Sequence, residues 1–293
     1  MRRILRMIRR NCYICRIRTL DPVEETVVIT PLGWERSRAA LPASGEWLRA
    51  HRVYLLYRPD YRYNRAFVEK VTRDLEGNDV EVQTRQVEAT REFESLLISI
   101  SGIVRAEWSL KNRVHINVSA SSKIAAAAAF LVAAYQSDRI ASVFYVHPSV
   151  YTIEEPDGFS AFKEHGLSQG LARMQYLPLF KLEKPGEMGE LVLAELYRRG
   201  PLAYIDILRI LHTAKVGGFE AFEIPSSRTR RTQRETGREK WIARLRRLVM
   251  NELLNDGYVR PVPSHEGRKV LIETTEMGKY AAMLSGLVDR PYP

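Results

Sequence analysis

Residues 113–136 read RVHINVSASSKIAAAAAFLVAAYQ. Val114, Ile116 and Val118 make Arg113–Ser119 a strand, and the alanine-rich stretch from Ser122 to Gln136 is a helix, so a strand passes through a serine loop directly into a helix. Asn117-Val118-Ser119-Ala120-Ser121-Ser122-Lys123 therefore sits where hydroxyls and free backbone N–H groups meet a helix N-terminus, with a lysine in the first turn. That combination suits a phosphate or a ribose. Capping alone accounts for Ser121 or Ser122, but not for three serines and a cation together.

Working outward, the same rhythm recurs on both sides. Thr26–Thr30 (TVVIT) is a short apolar, β-branched run ending in Pro31-Leu32-Gly33, as expected of a strand buried on both faces. A helix around Trp34–Leu41, a strand Arg52–Tyr57, a polar helix near Asn64–Glu76, a strand Asp79–Val87 and a long helix from Ala89 to Trp108 lead into the quoted segment. Ala141–Val146 follows it as a fifth strand. Five strands alternating with four helices predict a mostly parallel, three-layer α/β sheet with right-handed crossovers. Met174–Lys181 is expected as a further strand, at an edge because it contains Pro178. No G-x-G-x-x-G follows the first strand and no G-x-x-x-x-G-K-[ST] occurs, so ordinary dinucleotide or P-loop use is disfavoured and no cofactor is implied.

Composition narrows the class further. The 293 residues are 45% apolar and 27% charged, a globular mixture long enough for two domains, with a net charge of +10. The excess is local. Residues 1–18 carry seven Arg and no acid, residues 228–247 carry nine Arg or Lys against Glu235 and Glu239, and the remaining 255 residues net −4. Basic patches on a mildly acidic body point to a polyanionic partner at particular places. The longest apolar run, Ile124–Tyr135, is too short to span a membrane, and a cytoplasmic location is expected. Cys12 and Cys15 form one C-x-x-C without nearby His partners, and His147, His165 and His212 lack carboxylate or Cys neighbours at ligand spacing, so no metal site is assigned. Arg interrupts the N-terminus too often for a secretory signal. Residues 1–22 are either a nucleic-acid-binding arm or read-through upstream of the natural start.

After Glu183-Lys184-Pro185-Gly186 the pattern becomes helical. Glu187–Arg199 and Tyr204–His212 are helices, and Arg238–Leu254 places Trp241, Ile242, Leu245, Leu248, Val249 and Leu253 inward while Lys240, Arg244 and Arg247 share another face. Tyr258–Val262 and Lys269–Glu273 flank a basic turn, and a last helix covers Glu276 to Leu287. Three helices, a hairpin and a helix are the order of a winged helix-turn-helix, with Arg238, Lys240, Arg244 and Arg247 on the reading helix and Arg268 and Lys269 on the wing, all expected to contact double-stranded DNA. Domains are thus expected at 1–22, 23–184 and 185–293.

Strand, N-x-S-x-x-S-K and a small-residue helix, together with Arg52-Val53-Tyr54-Leu55-Leu56, resemble the CARF (CRISPR-associated Rossmann-like fold) domain. The resemblance extends over about residues 23–288 to the archaeal CARF transcription regulators that end in a winged helix. It implies that Ser119, Ala120, Ser121, Ser122 and Lys123 contact a cyclic oligoadenylate or another nucleotide, with Thr30, Pro31, Leu32 and Gly33 as the opposing lip. Ser121 stands where that family usually has glycine. A ligand with internal two-fold symmetry is met best by an isologous homodimer. The function expected is a CRISPR-associated, ligand-sensing DNA-binding regulator. Its alternatives are a slow, metal-independent nuclease that cleaves the cyclic ligand, for which the motif supplies no general base, and a DNA-binding dimer without a ligand.

Overall fold

Strands with apolar residues on both faces are satisfied only between two layers of helices. The computed structural model, which describes residues 24–45, 47–60, 63–88, 92–154, 157–222, 231–263 and 270–288, has that arrangement. Strands β1 (Thr26–Leu32), β2 (Arg52–Tyr57), β3 (Glu81–Gln86), β4 (Arg113–Asn117) and β5 (Ser142–His147) pair in parallel in the order 3-2-1-4-5. A short ribbon of β6 (Val150–Tyr151) and β7 (Ser168–Gln169) precedes β8 (Arg173–Leu177), which closes the far edge antiparallel to β5. The interleaved helices are α1 (Arg36–Ala40), α2 (Asn64–Glu76), α3 (Glu92–Ser109) and α4 (Lys123–Tyr135), with α5 (Gly158–His165) between β6 and β7. Val28, Val53 and Leu55 share a core with Val68, Val71 and Leu75 of α2. Val27, Ile29 and Ile116 share the other with Leu97, Ile100 and Ile103 of α3 and with Ala125, Ala128, Ala129 and Val132 of α4. This is a Rossmann-like sheet.

Several strand ends differ from expectation, β4 stopping at Asn117 rather than Ser119, and two of them have a reason visible in the sequence and ladder. β1 continues through Pro31 to Leu32, because its pairing with β2 extends to Leu32↔Tyr57. Its pairing with β4 stops at Ile29↔Ile116, so on that side the missing proline N–H breaks no ladder bond. β8 is the expected edge strand and ends at Leu177, immediately before Pro178.

The C-terminal part comprises α6 (Glu187–Arg199), β9 (Leu202–Ala203), α7 (Tyr204–Thr213), α8 (Arg231–Leu245), α9 (Asn251–Asn255), β10 (Val259–Pro263), β11 (Val270–Thr274) and α10 (Glu276–Leu284). The three strands form one sheet in the order β10-β11-β9. β9 was not expected; two residues after Gly200-Pro201 are too few to show a period of two. A π-helical turn, Arg246–Met250, joins α8 to α9. It corrects one assignment: Leu248, expected inward, is 36% exposed, whereas Met250 is fully buried. The wider turn inserts a residue into the helical repeat and rotates the residues beyond it. Residues 1–22 with Cys12 and Cys15, the stretch 223–230, and Arg268 and Lys269 of the expected wing lie outside the described residues.

The two parts share one apolar core and are joined within it by buried polar bonds. Gln136, fully buried at the end of α4, donates from Nε2 to Leu284 O at 2.7 Å. Arg105 of α3 donates from Nη1 to Ser285 O at 3.0 Å and to Glu190 Oε2 at 3.3 Å. Among the described residues no helix is long and apolar enough to cross a membrane.

Candidate functional site

In a sheet of this order the connections leaving β1 and β4 run to opposite faces, and a crevice opens beyond the carboxyl ends of those two strands. A cavity of about 740 Å³ occupies that place, within the range of small-molecule sites. One wall is Pro31, Leu32, Gly33 and Trp34; the facing wall is Ser119, Ala120, Ser121 and Ser122; Leu56, Val87, Leu96 and Ala125 give it an apolar lining.

The serine loop is shaped by Asn117. Its Nδ2 donates to Arg38 O at 2.8 Å, and its Oδ1 accepts from Ser119 N at 3.0 Å and from the Ser119 hydroxyl. The asparagine thereby ties the end of β4 to α1 and folds the backbone into a turn. Gly33 brings the opposing lip close: its N–H donates to Ala120 O at 2.6 Å, and a Cβ at this position would stand 3.3 Å from that oxygen. Ser122 is the N-cap of α4, its Oγ accepting from Ala125 N at 3.2 Å.

Of the sequence-derived ligand residues, seven border this cavity and two do not. Thr30 is fully buried inside β1, opposite Leu55, and so forms no part of the lip. Lys123 is exposed and absent from the cavity wall.

Several polar wall residues escaped the sequence reading. Glu35 and Arg38 pair at 2.9 Å with their side chains 7% exposed. Arg38 also donates to Val146 O at 3.0 Å and lies 4.7 Å from the Tyr145 ring centroid, while Ser168 Oγ donates to Glu35 Oε2 at 2.5 Å. Burial raises the Glu35 carboxyl above its ordinary range, against the lowering pull of Ser168 and Arg38. Arg58, just past the end of β2, donates from Nη1 to Glu92 Oε2 at 2.7 Å and grips Asp60 through Nε and Nη2 at 3.2 and 2.7 Å. Asn64 opens α2, donates to Arg58 O at 2.8 Å, and leaves its buried Oδ1 without a partner. The signal available was position: Arg58 follows the carboxyl end of a parallel strand.

In the C-terminal part Arg238, Lys240, Arg244 and Arg247 are exposed along the third helix. Trp241 packs near Phe219 and Phe222, and the Arg244 guanidinium lies 5.8 Å from its ring centroid. Lys240, Trp241, Ala243, Arg244 and Arg247 border a shallow basic hollow. Among the described residues no cluster of three or more His, Cys, Asp or Glu side chains is arranged to hold a metal.

Fold and crevice define a two-domain protein: a Rossmann-like sheet with a ligand-sized cavity at its switch point, followed by a winged helix domain. Residues 26–151 match the family model HFX_2341_N:-like, N-terminal, and residues 189–286 match the DUF6293 C-terminal winged helix domain. Two family models thus cover the Rossmann-like part and the winged helix domain separately. Comparison with curated proteins finds no match. Among solved structures the chain is similar to Enterococcus italicus Csm6 bound to cyclic hexa-2'-fluoro-hexa-dAMP, with 12% identity, a TM-score of 0.39, and coverage of 79% of this chain and 58% of that one. It is also similar to protein VC1899 from Vibrio cholerae, at 10% identity, TM-score 0.37 and coverage of 89% and 66%. A third is a type III CRISPR defence DNA nuclease activated by cyclic oligoadenylate, at 18% identity, TM-score 0.35 and coverage of 83% and 36%. The chain spans less than two thirds of each of these structures.

Proposed function

We propose that this protein is a cytoplasmic, archaeal-type transcription regulator, CRISPR-associated, that binds a cyclic oligoadenylate or related nucleotide between two copies of its Rossmann-like domain and DNA through its winged helices. One observation carries the reading. Glu92 and Leu96 of α3 and Ser122 and Ala125 of α4 border the cavity, and the other ends of the same two helices bond to the winged helix through Arg105 and Gln136. A ligand that shifts these helix heads biases the DNA-binding part without a separate relay. The homodimer is supported by apolar side chains at and beside the cavity mouth, with Ile124 52%, Tyr151 44% and Ile153 89% exposed. Lys123, exposed next to Ile124, is the residue we assign to a ligand shared with a second copy. Domain limits at 23–184 and 185–293 are supported by the change between β8 and α6.

Slow cleavage of the ligand is a second reading, favoured by Glu35, a carboxylate of raised pKa on the cavity wall. Labelled cyclic tetra-adenylate and cyclic hexa-adenylate are incubated with the full chain, and binding, linear products and DNA affinity are recorded. Binding without products, with ligand and DNA changing each other's affinity by one common factor, is the result expected. Linear products establish the enzyme, and neither binding nor products leaves a DNA-binding dimer without this ligand.

A further inference from the structure

Glu92 is the first residue of α3, and its carboxylate sits in a place made for an anion. Oε2 takes the 2.7 Å bond from Arg58, and Oε1 accepts from Ser122 Oγ at 3.1 Å. Ser122 is the N-cap of α4, a helix of 13 residues whose first-turn N–H groups favour negative charge at this end. Arg58 is also held from its other side by Asp60, so the guanidinium keeps its position when Glu92 leaves.

An ion pair of this kind can be purely structural, but the same wall holds a second, independent feature. Asn64 borders the cavity, is 2% exposed, and its Oδ1 accepts no hydrogen bond. The orientation of the amide is set by the bond from Nδ2 to Arg58 O, since the reverse orientation would face two oxygens. A buried acceptor without a donor is destabilising, and a ligand N–H or O–H that reaches it would offset that loss. An anion position beside an open acceptor matches a phosphate attached to a group carrying amino or hydroxyl hydrogens, which is nucleotide chemistry.

We propose that Arg58, Ser122 and the first turn of α4 form a phosphate subsite that Glu92 fills in the resting protein, and that a ligand phosphodiester binds by displacing the Glu92 carboxylate. The proposal rests on the reading of the cavity as a nucleotide site. One monoanion replaces another, so Arg58 is left neither unpaired nor overcompensated. The displaced carboxylate frees the head of α3 from the head of α4. The far ends of these helices hold Ser285 and Leu284, so the exchange reaches the winged helix through the helix pair itself.

The test uses the full chain, with inorganic pyrophosphate and cyclic tetra-adenylate as probes and calorimetry as the readout. Glu92→Gln keeps the shape and removes the competing charge. It is expected to bind both probes about tenfold more tightly than wild type, the scale of one charge-assisted hydrogen bond. Arg58→Gln is expected to lose both. Without ligand, Glu92→Gln is expected to shift DNA affinity in the direction that cyclic tetra-adenylate shifts wild type. Pyrophosphate binding by Glu92→Gln that is unchanged, weaker or absent overturns the subsite. Tighter pyrophosphate binding with no binding of the cyclic adenylate keeps the subsite and removes the cyclic-oligoadenylate reading. Should Glu92→Gln fail to fold, Glu92→Ser carries the same expectation.

Discussion

His115 shows how a side chain of β4 can matter without touching the cavity. It is 6% exposed, its Nδ1 lies 2.7 Å from Ser142 Oγ, and burial, aided by the charge of Arg113, lowers its pKa to about 4. The unfolded chain, with an ordinary value of 6.5, takes up a proton first as the pH falls. The stability contributed by neutral His115 is therefore complete above about pH 6.5 and is lost progressively down to about pH 4, amounting to at most about 3 kcal/mol. Denaturant melts at pH 7 and pH 4.5 are expected to show a smaller acid loss for His115→Gln than for wild type. Equal losses would assign the acid sensitivity to other groups. Arg58 and Lys123 make the complementary point. Lys123 was singled out because it abuts a serine motif, yet it does not border the cavity, whereas Arg58, with only Tyr57 and Pro59 beside it, has no local pattern and acquires its place from Glu92, 34 residues on.

Elements dock here through backbone approaches that leave no room for a side chain. α10 is N-capped by Thr275, whose N–H and Oγ1 bond to Tyr258 O and Gly257 O at 3.0 and 2.7 Å. Three residues later Gly278 lies so close that a Cβ would stand 1.9 Å from Tyr258 O and 2.9 Å from its carbonyl carbon. Backbone cannot yield as a flexible side chain does, so Gly278→Ala is expected to push α10 off the strand pair at a cost of about 1–3 kcal/mol. A thermal melt measures this. Because α10 also meets α3, the variant is expected to weaken communication between ligand and DNA more than either affinity alone. An unchanged melting temperature would show that α10 can re-seat. The π turn after α8 belongs at this level too, since it exchanges Leu248 for Met250 in the core while keeping Arg244 and Arg247 exposed.

For the molecule as a whole, the charge distribution matters most. Against a body of 255 residues that nets −4, the nine Arg or Lys of residues 228–247 favour a polyanion at the third helix, and each phosphate met there would release counterions. Replacing Lys240, Arg244 and Arg247 together by Ala is expected to weaken duplex binding strongly. The slope of log affinity against log salt should become shallower by roughly 0.9 for each phosphate no longer neutralised, up to about 2.7 if all three side chains meet phosphates. The oligomeric state and the melting temperature are expected to stay as they are, because these side chains are exposed. Unchanged DNA affinity in the folded triple variant would remove this helix from the DNA interface.

The alternation of strand and helix, the capped helix after the serine loop, and the helix–helix–helix–hairpin–helix order were all legible in the chain, because each depends on periodicity and punctuation within a dozen residues. Pro31, Leu32, Gly33 and the run Ser119–Ser122 were legible for the same reason, since the ends of neighbouring parallel strands must lie together. What escaped is long-range. Glu35, Arg38, Arg58, Asn64 and Glu92 reach one cavity from four separate elements. Thr30 turned inward where a lip was expected, and Leu248 rotated out through a turn of unusual pitch. Ladder register, helix docking and the wall that an isolated arginine faces are set by contacts between segments far apart in sequence. No local pattern encodes them, and they exist only once the sheet has closed its layers.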